Sequence, residues 1–328
     1  PEPGVYDWSL WDRAFAACAA AGLEQIVEFL HFGLPDHHPG FVDRAWIDSF
    51  VRYVTAFLDR YPAPRWFTPI NEPGITARLS ARFGIWNDMA ATSEAHAQAL
   101  ANIVQANLEA MALIRTDRNG WWVGSEGFDI PVAMNDSPEA AADVDRIRTL
   151  GWLVWDLHFG HEPAVAGYFD GLDTAQLARI RSLAQHDRLV AGLDIYPISV
   201  MPVGGDRPAW TPRELISLAM AEIERWHDRY EQPFWIAETS NLTLPLDQQV
   251  SWLNEFSAGL AQLRVDGRPA RGLCWYSRGD QFDWQTALTE PTGAVTEVGL
   301  YDTKRRARPV AARFKELADG GAPQPQVN

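Results

Sequence analysis

The sequence predicts an α/β fold, a TIM-type (β/α)8 barrel rather than an open doubly wound sheet. Three observations carry that expectation. Short apolar runs alternate with amphipathic helices along the chain, the order that builds a parallel sheet. No glycine-rich phosphate loop follows any strand, which a nucleotide-binding doubly wound sheet would need. Polar residues gather where strands end: His31, Asn71 and Glu72, Glu126, Asp194 and Tyr196, Glu238, and Asp283. Barrel enzymes build their sites on that face.

The elements follow in order. Asp7 to Ala21 reads as a helix with Leu10, Trp11, Phe15 and Cys18 on one face. The first strand is "QIVEFLHF". Trp46, Ile47, Phe50, Val51, Val54, Phe57 and Leu58 then recur at helical spacing until Pro62 and Pro64 stop the helix. "RWFTPI" is the second strand and ends at Asn71-Glu72. A helix over about Ser93–Arg115 leads to "GWWVGSEGF", and after more helix comes "RLVAGLDIYPI". Thr211 is placed to N-cap the next helix, with Pro212 in its first turn and Glu214 completing a capping box. "PFWIAETSN" is nearly continuous in apolar residues up to Glu238, as expected of a strand buried on both faces. Val250, Trp252, Leu253, Phe256 and Leu260 mark another helix, "RGLCWYS" the last strand, and about Pro309 to Leu317 a terminal helix. Six strand–helix units result, two short of a complete barrel. No linker divides them, so residues 1–319 are expected to form one barrel domain and 320–328 a disordered tail.

Composition narrows the function. The chain has 328 residues, 47% of them hydrophobic, enough for one large core or at most two domains. A net charge of −15 argues against nucleic acid or an acidic membrane as a partner. The one basic run, "TKRRAR" around Lys304, reads as a solvated helix flank. No apolar run approaches the ~20 residues that span a bilayer. Cys18 and Cys274 sit in apolar contexts and read as buried free thiols in a reducing, cytoplasmic compartment. The histidines are scattered, and "DHH" at Asp36–His38 reads as a loop, so neither metal nor cofactor is implied. Fifteen tryptophans suit stacking against the C–H face of a sugar as well as core packing.

Glu72 and Glu238 are the strand-end acids that matter most. They end the second and the fifth strand of this reading, so in a closed barrel they can face each other across the mouth. Two carboxyls about 5–5.5 Å apart suit double-displacement glycoside hydrolysis with retention. One attacks the anomeric carbon; the other protonates the leaving oxygen and then activates water. Spacing alone does not separate that pair from two solvated acids.

The flanking residues resemble the family 1 glycoside hydrolases, in a set of matches that keeps its order along nearly the whole chain. "TPINEP" at Thr68 resembles the T-x-N-E-P segment that carries the acid/base on strand four. "HFGLP" at His31 is similar to the H-W/F-D-L-P segment of strand three, and "WIAETSN" falls where the nucleophile strand, strand seven, should lie. "WYSRGDQFDW" from Trp275 resembles W-S-L-L-D-N-F-E-W of strand eight, and "VGLYDTKRRARP" the family's ending. The resemblance implies a retaining β-glycosidase acting on a small β-glycoside, with Glu72 as acid/base and Glu238 as nucleophile. It implies Asn71 on the sugar's 2-hydroxyl and His31 on the 3-hydroxyl, with Tyr196 donating to the nucleophile. Trp275 would form the floor of the sugar site, and Asp283 and Trp284 would read the 4- and 6-hydroxyls. Glu126 has no counterpart in the pattern and is a candidate site-lining group.

The departures qualify this. The nucleophile motif, usually T-E-N-G, here reads Ala237-Glu238-Thr239-Ser240; Gln281 and Asp283 replace Asn and Glu, and Asp194 stands where Asn is common. The family's first two strands should precede Pro1, so the segments read as strands three to eight. A sugar-binding barrel without catalysis, and a transglycosidase using the same glutamates, remain as alternatives.

Overall fold

The computed structural model describes Glu2 and Gly4–Gly321. The described residues divide into two compact units with boundaries after Glu126, Gly151 and Val190. The strands are β1 (Ile26–Leu30), β2 (Trp66–Ile70), β3 (Trp121–Val123), β4 (Glu126–Gly127), β5 (Ile130–Ala133), β6 (Leu189–Asp194), β7 (Val200–Val203), β8 (Phe234–Glu238), β9 (Ala270–Leu273), β10 (Gln281–Phe282) and β11 (Val295–Thr296). The helices are α1 (Ser9–Ala20), α2 (Ala45–Arg60), α3 (Pro73–Ala77), α4 (Ser93–Arg118), α5 (Pro138–Phe159), α6 (Thr174–Leu183), α7 (Pro212–Tyr230), α8 (Gln249–Val265) and α9 (Pro309–Ala318).

In the first unit β1, β2, β3 and the start of β6 are parallel neighbours in that order, with Leu30 opposite Ile70, Phe67 opposite Trp122 and Val123 opposite Val190. Parallel strands in register bring their C-terminal ends to one rim. Asn71 N–H donates to the Leu30 carbonyl at 2.9 Å, and Glu72 N–H to the Ser125 carbonyl at 2.9 Å. The core lies between the strands and their helices. Trp46, Ile47, Phe50, Val54, Phe57 and Leu58 of α2 are buried. Val51 is only half-buried. On α1, Trp11 and Phe15 pack on Phe57 with ring centroids 5.1 and 5.9 Å apart. Leu10 is instead 68% exposed, because it sits about a quarter-turn round the helix from Trp11. Helix α4 is buried nearly all round, and its amides pair internally: Asn102 Nδ2 donates to the Phe41 and Val42 carbonyls, and Gln176 Nε2 to Asn102 Oδ1.

In the second unit the end of β6, β8 and β9 are again parallel neighbours, with Leu193 opposite Ile236 and Ile236 opposite Leu273. Phe234 and Ile236 of β8 are fully buried, and Trp226, Tyr230, Trp252 and Phe256 of α7 and α8 cover that side. Helix α7 starts as its sequence dictates: Thr211 accepts from Glu214 N–H, and the Glu214 carboxylate accepts from Thr211 N–H at 2.8 Å. A side ribbon, β5 with β7, and the β10–β11 hairpin are strands that the sequence does not announce.

Two sequence expectations need adjustment. "TKRRAR" is solvated only in part. Arg306 is exposed, but Arg308 is largely buried, with its guanidinium on Asp280 and on Glu297 at 3.1 Å. Cys18 and Cys274 are free but half-buried rather than buried. Of the expected tail, Gly320 and Gly321 close the last turn of α9 through N–H bonds to Leu317 and Glu316, and 322–328 lie outside the described residues.

Candidate active site

In the first unit three of the expected residues meet at the rim. His31 follows β1 and is exposed, so it is not a core histidine. Its Nδ1 lies 2.8 Å from Glu28 Oε1, a carboxylate oxygen that accepts, which makes Nδ1–H the donor. Asn71 is only 1% exposed, and neither its side-chain nitrogen nor its oxygen has a hydrogen-bond partner among the described residues. An unsatisfied buried amide costs on the order of 1–3 kcal/mol per group, so it marks a position held for something other than stability.

Glu72 is half-buried and leaves β2 in the left-handed region, at φ 40°, ψ 61°. That conformation costs a non-glycine residue about 1–3 kcal/mol and persists only where the surroundings enforce it. Pro73 opens α3 immediately afterwards. Glu126, 3% exposed at β4, accepts from Gly74 N–H at 2.7 Å and from Ile75 N–H at 3.3 Å. Behind this rim Ile70 N–H donates to Asn107 Oδ1, and Asn107 Nδ2 lies 2.9 Å from His158 Nε2. His158 Nδ1 lies 2.8 Å from the Val154 carbonyl, so it carries the proton and Nε2 accepts. Full burial pushes His158 down to about 4, which keeps it neutral.

In the second unit Glu238 ends β8, half-buried, and Tyr196 Oη donates to its Oε2 at 2.6 Å. Such a bond favours the carboxylate over the acid. Tyr196 meets Trp284 edge-on at 5.6 Å, and Trp284 leans on Tyr276 at 5.1 Å. Trp275 is buried, and its indole N–H donates to the Val298 carbonyl at 2.9 Å. Burial, with the Glu238 charge adding to it, pushes the Cys274 thiol up to about 11. Asp283 turns the β10–β11 hairpin. Its Oδ1 accepts from Thr292 Oγ1 at 2.6 Å and from Ala294 N–H at 3.1 Å, and these bonds hold its carboxyl below the usual range. Asp194 is buried at the end of β6.

The sequence does not show what anchors the rim. Thr239 Oγ1 donates to the Ile195 carbonyl at 2.6 Å and accepts from Trp252 Nε1 at 2.9 Å, fixing the chain just after Glu238. The strand-end position of Glu126 is legible, but the use of both its oxygens on α3 is not. A signal exists: "NEPG" opens a helix with no acidic residue in the first turn of its own to meet the orphan amides.

Comparison with known proteins now decides the family. The model of "Glycosyl hydrolase family 1" matches residues 5–177, more than half of the chain. The chain belongs to glycosyl hydrolase family 1. No curated protein matches this family 1 chain in sequence. Among solved structures it is similar to the β-glucosidase from Thermotoga maritima in complex with glucoimidazole, at TM-score 0.80 and 14% identity over 98% of this chain and 81% of that one. A β-glucosidase from Exiguobacterium marinum gives 0.78 and 16% over 96% and 80%. The GH1 β-glucosidase from Exiguobacterium antarcticum B7 gives 0.81 and 15% over 97% and 80%. At such identities the likeness shows the fold alone, and with the parallel strands above it bears out the α/β barrel class. Among the described residues no helix is long and apolar enough to cross a membrane, and no three His, Cys, Asp or Glu side chains are grouped to hold a metal ion.

Proposed function

We propose that this family 1 chain is a retaining β-glycosidase that hydrolyses a small β-glycoside by double displacement. The observation that carries the reading is the 2.6 Å bond from Tyr196 to Glu238, because a nucleophilic carboxylate must be held as the anion. Glu238 attacks the anomeric carbon and the glycosidic C–O bond breaks. Glu72 gives its proton to the departing oxygen, then takes one from the water that opens the glycosyl ester. Asn71 takes the 2-hydroxyl: its unpartnered amide offers both a donor and an acceptor. His31 takes the 3-hydroxyl. Trp275 forms the floor, and Trp284 with Asp283 reads the 4- and 6-hydroxyls. Asp283 would do so through Oδ2, since Oδ1 holds its own hairpin.

The test is a panel of aryl β-glycosides (glucoside, galactoside, mannoside and fucoside). Wild type should turn over at least one. Glu238→Ala should lose turnover by about 10³-fold or more, of the order expected for a covalent nucleophile. Azide should restore activity to that variant with an α-glycosyl azide as product. Binding of a sugar by wild-type protein without turnover of any glycoside would favour the non-catalytic barrel instead. Equal turnover by Glu238→Ala would remove the nucleophile assignment.

A further inference from the structure

We infer that Glu126 is a positioning residue for the acid/base, fixing the backbone on which Glu72 is mounted. The inference rests on the reading of Glu72 given above, and it adds a residue with no counterpart in the motif around the two glutamates.

Glu72 has an unfavourable backbone, φ 40°, and the residue after it is a proline that supplies no N–H. Besides the Thr76 N–H on the Glu72 carbonyl at 2.9 Å, support for that backbone comes from the segment after β3. The Ser125 carbonyl takes Glu72 N–H at 2.9 Å. The next residue, Glu126, places one carboxylate oxygen on Gly74 N–H at 2.7 Å and the other on Ile75 N–H at 3.3 Å. Consecutive residues of one segment therefore grip the chain on both sides of Pro73. The grip is close. A Cβ on Gly74 would lie 2.9 Å from Glu126 Oε1, nearer than real Cβ atoms come, so glycine is what admits the carboxylate. Glu126 is 3% exposed, and a buried carboxylate is tolerated where donors converge on both oxygens.

In Glu126→Gln a carboxamide would offer one acceptor and one donor to these two N–H groups. One bond would be lost and two donors would face each other, with side-chain size unchanged. The turn carrying Glu72 would then relax toward an ordinary backbone. Displacement of a reacting group by about 1 Å costs on the order of 10²-fold. The loss should fall only on steps that need the acid.

The experiment compares kcat/KM for 2,4-dinitrophenyl and phenyl β-glycosides of the best glycone in the panel. The dinitrophenolate leaves unaided; phenolate needs the proton. Glu126→Gln should lose about 10²-fold on the phenyl glycoside and stay within about 3-fold on the dinitrophenyl one. Azide should raise its kcat on the dinitrophenyl substrate, with a β-glycosyl azide as product. Gly74→Ala, which leaves Glu126 in place but displaces its carboxylate, should show the same split, and it carries the test if Glu126→Gln does not fold. Glu126→Asp should recover part of the phenyl activity. Equal losses on both substrates would mean a general structural role, and no loss on the phenyl glycoside would mean that Glu72 does not depend on Glu126; either overturns the inference. A wild type inactive on both substrates would instead sink the glycosidase reading itself.

Discussion

At the scale of single residues, Glu238 is the centre of a small electrostatic system that can be probed from two sides. Tyr196 is the first. Its hydroxyl donates at 2.6 Å to a carboxylate, a class of bond worth about 1.5–3 kcal/mol. Tyr196→Phe should therefore lower kcat/KM by roughly 10–100-fold. Steady-state kinetics on the best aryl glycoside checks this, and a change under about twofold would show that the bond has no part in the reaction. Cys274 is the second probe. Its thiol stands at about 11 against the usual 9.0, first through burial and second through the Glu238 charge. Glu238→Gln should bring it down part of the way, since burial remains. Alkylation rates followed against pH in a Cys18→Ser background read that shift, and an unmoved profile would show that the charge does not reach the thiol. The two glutamates, Asn71 and Tyr196 are legible in the sequence because each closes an apolar run inside a motif of fixed order. Glu126's partners are not. Which amides a carboxylate meets depends on a neighbouring strand's loop, 52 residues away in the chain, and no periodicity records that.

At the scale of elements, legibility follows local rules. The strands of the parallel sheet announce themselves as apolar runs, and α7 and α9 begin where Thr211-Pro212 and Pro309 say they should. Short pieces do not. Strands β4, β10 and β11 have two residues each, too few to show alternation, and β5 pairs with β7 only through the tertiary fold. Helix α4 looks amphipathic in outline, but it is buried nearly all round, so Asn102, Gln105 and Asn107 are interior polar groups rather than a solvated face. Helix α7 allows a clean test of local coding. Thr211→Ala removes the cap on Glu214 N–H and the hydroxyl's bond to the Glu214 carboxylate, while the backbone N–H of residue 211 stays on that carboxylate, a change that costs about 1 kcal/mol. Thermal unfolding should show a Tm lower by roughly 1–2 °C, with turnover unchanged at about 25 °C. A Tm within error of wild type would mean that packing of Trp226 and Tyr230 alone decides where the helix stands.

At the scale of the whole molecule, buried histidines should set the acid limit of stability. Burial pushes His96 and His158 each down to about 4, from the 6.5 expected of an unfolded chain. Between those values the unfolded chain holds more protons than the folded one, so stability rises with pH there and falls as pH drops from 6.5 toward 4. A gap of this size is worth roughly 3 kcal/mol for each ring once pH is below about 4. His158 cannot escape the cost by rearranging. Its Nε2 serves Asn107, which holds Ile70 one residue before Asn71, so a proton there would turn an acceptor into a second donor facing Asn107. Loss of stability and loss of the rim should therefore start together. Thermal midpoints taken from about pH 7 to about pH 4.5 should fall steadily for wild type and less steeply for His158→Gln, which keeps a polar side chain but has nothing to titrate. Parallel slopes for the two proteins would show that other groups, among them the many carboxylates behind the net charge of −15, govern acid unfolding instead.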